Sequence, residues 1–175
     1  FIGLEALEYR NNYNKIDQSQ LISDLEVRYA IDIANYKINN KEKISKAITR
    51  IIKFSSEDLV ERINQKMYIK PLLFYGYSSN PFKLKERKFP IEFSSPWEEK
   101  HTIVIEIPSN YNIESIPETK ALSLPNNLGI FKYKVIISGK TIRVLSLLKF
   151  NSSTINEDYY QILKGFFAEF IKKQS

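Results

Sequence analysis

Cysteine is absent from the 175 residues, and histidine occurs once, at His101. The first absence excludes disulfides, thiolate metal ligands and a thiol nucleophile within this chain. The second argues against a zinc site, which wants three or four ligands and usually several His or Cys. It also argues against a Ser-His-acid triad, because no G-x-S-x-G elbow accompanies the lone imidazole. His101 stands before a strand-like run and reads as a surface residue at a strand start. Glycine is scarce, with 5 isolated residues, so neither G-x-G-x-x-G nor a P-loop is present and nucleotide binding is unsupported. No apolar run approaches the ~18 residues that span a bilayer. The longest, Val144 to Leu148, is broken by Ser146. The opening Phe1-Ile2-Gly3-Leu4-Glu5 has neither an initiator Met nor a charged n-region, so the chain is expected to be a piece of a longer protein. No cofactor is expected.

What the chain has is aromatic and aliphatic surface: 43% hydrophobic residues, with 11 Phe and 11 Tyr, beside 26% charged residues. Aromatic and β-branched side chains pack well on a pleated, half-buried surface, which favours strands around one core. The balance of 26 Lys+Arg against 20 Asp+Glu gives +6. Its most basic stretch, Lys37 to Lys53, carries Lys41, Lys43, Lys46 and Arg50 against Glu42. Neither a dense cationic stripe with stacking aromatics nor a known motif accompanies it. It reads as a solvated surface, with no nucleic-acid partner.

Along the chain, Ile2 to Arg10 reads as a first strand. Asp17 and Gln20 have capping-box spacing, and Leu21, Leu25 and Arg28 follow at helical spacing, which places a helix at about 18–29. Ile31, Ile33, Tyr36 and Ile38 suggest a strand with one phase slip, a bulge. Asn39-Asn40 is a turn signal, Ile44 to Phe54 a long strand, and Met67 to Ile69 a shorter one. Residues 55–65 suit either a helix start or an extended edge. Ile103, Ile105 and Ile107 alternate with polar neighbours until Pro108. Phe131, Tyr133, Val135 and Ile137 do the same, and Ser138-Gly139-Lys140 turns them into Ile142 to Phe150 as a hairpin. The final helix, about 157–173, is capped by Asn156 and presents Tyr159, Ile162, Leu163, Phe166 and Phe170 on one broad face. Gly165 within it suggests close packing there.

Three acidic pairs occur, Glu57-Asp58, Glu98-Glu99 and Glu157-Asp158. Neighbours on a strand point to opposite faces, and the last pair is explained by the dipole at a helix start, so none reads as a facing pair of carboxylates. Tyr75, Tyr77 and Trp97 are the candidate contact residues: exposed and coplanar, they could stack on sugar rings or bind a protein partner. Core packing is the other use for aromatics in so β-rich a chain. Asn151-Ser152-Ser153 fits a glycosylation sequon.

The run Tyr68-Ile69-Lys70-Pro71-Leu72-Leu73, then Asn80-Pro81-Phe82-Lys83, then Glu86-Arg87-Lys88-Phe89-Pro90-Ile91-Glu92-Phe93, resembles the C-terminal β domain of unknown function in large bacterial transglutaminase-like proteins. Ile107-Pro108-Ser109-Asn110-Tyr111, Ile116-Pro117, the hairpin at Gly139 and Glu157-Asp158-Tyr159-Tyr160 are similar to its later motifs. Asn110 stands where glycine is expected, a swap that a positive φ would permit. The resemblance covers 66–174 best and 1–65 more loosely, as connecting strands and a helix. It implies a parent with a papain-like catalytic core upstream and a cell-envelope setting. No catalytic residue carries over. Asn80, Pro81, Phe82, Arg87 and Pro90 read as structural: the prolines fix the loop backbone, and Arg87 suits a bidentate carboxylate bond.

The reading is therefore one domain over 1–175, mainly β, an antiparallel β-sandwich-like body of eight or nine strands with two packed helices. The expected role is a non-catalytic accessory domain contacting the upstream transglutaminase-like domain. A carbohydrate- or peptidoglycan-binding module is the alternative, and a stand-alone hydrolase the third possibility.

Overall fold

The computed structural model describes residues 1–13 and 15–174. Its centre is one antiparallel sheet built from the segments where apolar and polar residues alternate most strictly. Strands β6 (Trp97–Glu106), β7 (Lys120–Ser123), β8 (Gly129–Ser138) and β9 (Thr141–Phe150) lie in the order β6-β9-β8-β7. The β8–β9 hairpin turns at Gly139, whose φ of +57° suits a residue without Cβ. Period-two alternation sends Phe131, Tyr133, Val135, Val144, Leu148 and Phe150 to one face, where all are buried.

Helix α3 (Tyr160–Gln174) covers that face with Leu163, Phe166, Phe167 and Phe170. The Asn156 side chain accepts from the Asp158 N–H at 2.9 Å, and a 3₁₀ turn over Glu157–Tyr159 leads into the helix. Phe170 meets Phe131 edge-on with centroids 4.8 Å apart, and Phe150 lies 5.9 Å from Phe167. Such offset and edge-on pairs add to simple burial of apolar area. Gly165 is not a close-packing site: a Cβ there would meet nothing within 4 Å outside its own helix backbone.

The remaining strands form three two-stranded ladders: β1 (Asp32–Asn39) with β2 (Thr49–Ser55), β3 (Val60–Ile63) with β4 (Lys66–Ile69), and β5 (Ile91–Glu92) with β10 (Thr154–Ile155). The phase slip in β1 is a register shift between Ile33 and Asn35. Residues 55–65 resolve as the extended edge, entering the β3–β4 turn at Asn64, with φ +56°. Helix α2 spans Gln18–Tyr29, as the spacing requires, with Asp17 as its N-cap. Two hydrogen bonds from Ser19 hold the Asp17 carboxyl below its ordinary pKa.

Two expectations fail in the first fifty residues. The segment read as a strand at 2–10 is instead helix α1 (Leu4–Tyr13), so three α-helices, not two, occur among the described residues. Ala6 and Tyr9, three apart, face inward onto Ile48. The strand expected from Ile44 begins only at Thr49. The Arg10 guanidinium gathers the carbonyls of Asn40, Lys41, Lys43 and Lys46 at 2.9–3.2 Å, which folds 40–46 into turns. Helix α1 is tied to the main sheet through Ile2, whose N–H donates to the Glu98 carbonyl at 3.2 Å. Gly3 makes this approach possible: a Cβ would lie 2.1 Å from the Pro96 oxygen.

Candidate functional site

Segment 70–90 decides where the candidate residues lie. Leu72 is fully buried, and Leu73–Tyr75 form a 3₁₀ turn that directs Phe74 and Tyr75 toward the β1–β2 side. Phe74 stacks on Tyr29 at 4.1 Å and touches Phe54 at 5.6 Å, while Tyr75 stacks on His101 at 4.7 Å. An aromatic seam thus joins α2 and the β1–β2 ladder to β6. The Arg50 guanidinium sits 5.8 Å from the ring centroids of both Phe1 and Tyr75 along this seam. Burial raises the Tyr75 phenol pKa, with Arg50 acting in the opposite sense.

From Tyr77 onward the chain is strapped along α3. The Tyr77 N–H donates to the Gln174 side-chain oxygen at 2.9 Å. Asn80 donates to the Lys164 carbonyl and accepts from the Phe82 N–H, both at 2.9 Å. Phe82 is buried edge-on to Phe167 at 4.9 Å. The Asn-Pro-Phe run therefore fastens a loop to a helix, with Pro81 and Pro90 exposed on its outer side. Arg87 forms no carboxylate bond: among the described residues no ion pair includes it, and its Nε donates to the Phe89 carbonyl at 3.1 Å. Asn110 is not among the positive-φ residues described, so the glycine-like role expected of it is not used.

The polar centre of this region is on β6. Glu99 and His101, two apart, point to the inner face of the sheet, whereas Glu98 points outward beside Lys149, 3.9 Å away. His101 is not a surface residue at a strand start. It lies mid-strand, with its side chain 11% exposed and its Nε2 2.9 Å from Glu99 Oε1. The other Glu99 oxygen accepts from the Tyr77 hydroxyl at 3.2 Å. Ser146, buried, stands across β9 in register with His101. An open depression of about 410 Å³ adjoins the cluster, lined by Tyr75, Tyr77, Ser78, Ser79 and Glu99, but His101 does not line it.

Of the candidate contact residues, Trp97 is 9% exposed and packed on Phe150, with centroids 4.9 Å apart. Tyr75 gives one ring face to His101, and Tyr77 turns edge-on to Phe170 at 5.1 Å. They form no coplanar exposed platform.

Sequence reasoning missed the outer face of the sheet, although the alternation that located the core also defines it. In register across β6, β9 and β8 run Lys100-Leu147-Lys132, Thr102-Leu145-Lys134 and Val104-Arg143-Ile136. Lys100, Val104, Lys132, Lys134, Ile136 and Arg143 are exposed, and α3 packs against the opposite face. Among the described residues, no group of three or more His, Cys, Asp or Glu could hold a metal ion, and no helix is long and apolar enough to cross a membrane.

No curated protein matches the chain. A crystal structure from Parabacteroides distasonis ATCC 8503, described as that of a "putative protease", is similar at 16% identity and a TM-score of 0.46 over 66% of this chain. The chain spans 21% of that protein's length. Residues 65–175 match the family model of a domain of unknown function, DUF3858, and the chain belongs to that family.

Proposed function

We propose that the chain is a non-catalytic accessory domain that binds the transglutaminase-like domain of its own parent protein through the outer face of the four-stranded sheet. The observation that carries this reading is the composition of that face. Leu145, Leu147, Val104 and Ile136 provide apolar area, surrounded by Lys100, Lys132, Lys134, Arg143 and Lys149 against Glu98 and Glu106. A sheet with one face covered by a helix and the other bearing mixed aliphatic and cationic side chains suits a partner with an apolar patch rimmed by acids.

The non-catalytic part of the reading is supported by the His101 surroundings, where a tyrosine ring covers the imidazole and a glutamate engages its Nε2. Neither Ser78 nor Ser79, the hydroxyls lining the depression, has a hydrogen bond to His101 among the described residues. The sugar-binding alternative loses its platform, because the rings of Tyr75, Tyr77 and Trp97 face other side chains.

Calorimetric titration of this chain with the upstream transglutaminase-like domain tests the proposal. Saturable binding that weakens with added salt is expected. No detectable heat, or binding indifferent to charge reversal on the outer face, would refute it.

A further inference from the structure

A cavity of about 230 Å³ lies among α1, α2 and the β1–β2 ladder, and neither His101 nor Glu99 lines it. Three features of its wall point to one ligand chemistry.

Leu21, Asp24, Leu25 and Arg28 fall on one side of α2 at three- and four-residue spacing and line the cavity together. Arg50 enters from β2. Among the described residues, neither Arg28 nor Arg50 has a carboxylate within 4.0 Å. Arg50 is half-buried between two aromatic rings, and its 3.5 Å contact with the Tyr75 hydroxyl engages at most one of its five donors.

The second feature is a pair of buried phenols. Tyr9 and Tyr36 are each 8% exposed, and their hydroxyl oxygens are 3.0 Å apart. One such bond uses one proton, so whichever hydroxyl donates, the other still carries an O–H with no described acceptor. Burial and the Tyr36 bond raise the Tyr9 pKa, which keeps it a donor at neutral pH. The third feature is the charge of the wall. Two arginines against Asp24 leave one positive charge, which a singly charged anion balances. Tyrosine rings supply the apolar walls.

We infer that this cavity binds a small carboxylate-bearing molecule, with Arg28 and Arg50 paired to the carboxylate and the free tyrosine O–H donating to it. Guanidinium–carboxylate bonds are short, directional and strong, and a partly enclosed site raises their worth further. The inference is independent of the outer-face reading.

The test is an amide chemical-shift titration of the full chain with benzoate, and with inorganic phosphate as a rival anion. Benzoate is expected to shift α2, β1 and β2 amides saturably. Arg28 is exposed, so Arg28→Gln is expected to leave the fold intact and to weaken that binding about tenfold. Tyr36→Phe is expected to weaken it by a smaller factor. The inference is overturned if benzoate gives no saturable shifts, if Arg28→Gln leaves binding unchanged, or if phosphate saturates the site and benzoate does not.

Discussion

The two faces of the four-stranded sheet are made by the same strands, yet they use their residues in opposite ways. On β8 and β9 the inner positions are Phe131, Tyr133, Val135, Val144, Leu148 and Phe150, buried under α3. The outward positions include Lys132, Lys134, Ile136, Arg143, Leu145, Leu147 and Lys149. A soluble sheet needs one covered face for stability, and polar residues suffice on the other. Aliphatic residues set among lysines are the feature of the outer face on which the proposed contact rests.

If that contrast is right, substitutions on the two faces must separate stability from binding. The largest stability loss is expected for Phe150→Ala. This side chain is fully buried and touches Trp97, Phe93, Phe166 and Phe167. Its removal is expected to cost about 3–5 kcal/mol in denaturant unfolding.

Tyr133→Phe is expected to act in the other direction. The Tyr133 hydroxyl is buried without a described partner, so deleting it is expected to stabilise the chain by about 1 kcal/mol. Burial also raises this phenol from 10.0 to about 12. Its neutral form therefore contributes fully to stability below pH 10. That contribution is lost as pH rises from about 10 to about 12, because the unfolded chain ionises first. The Tyr133→Phe variant is expected to show a shallower alkaline loss of stability.

Gly165→Ala is expected to raise stability by up to about 1 kcal/mol, since the site is exposed on α3 and a methyl group there meets open space. Thermal unfolding would check it, and a loss of stability would mean that α3 has a neighbour on that side.

How much of this was legible depended on the range of the forces involved. The β8–β9 hairpin and α3 were readable because alternation, the Gly139 turn and the Asn156 cap are local signals that agree with one another. Helix α2 was readable for the same reason. Helix α1 replaces the strand expected over 2–10, and Leu4-Glu5-Ala6-Leu7-Glu8 are strong helix formers that carry a local signal for it. The late start of β2 could not be foreseen, since Arg10 folds residues 40–46 from thirty or more positions away. The Glu99–His101 pair was recoverable from i, i+2 spacing on a strand. The stacking of Tyr75 on His101 depends on the path of the 70–77 loop, which no local pattern encodes. The cavity beside α2 likewise needs three elements brought together before Arg28 and Arg50 become neighbours of one space.

The smallest stability effect belongs to the most direct test of the account. Lys132→Glu combined with Lys134→Glu alters two exposed outer-face side chains and no core contact. The double variant is expected to unfold within about 0.5 kcal/mol of the parent chain. In calorimetric titration with the transglutaminase-like domain proposed as its partner, it is expected to lose binding by tenfold or more. Binding equal to that of the unaltered chain, with the fold intact, would contradict the assignment of the outer face as the contact surface.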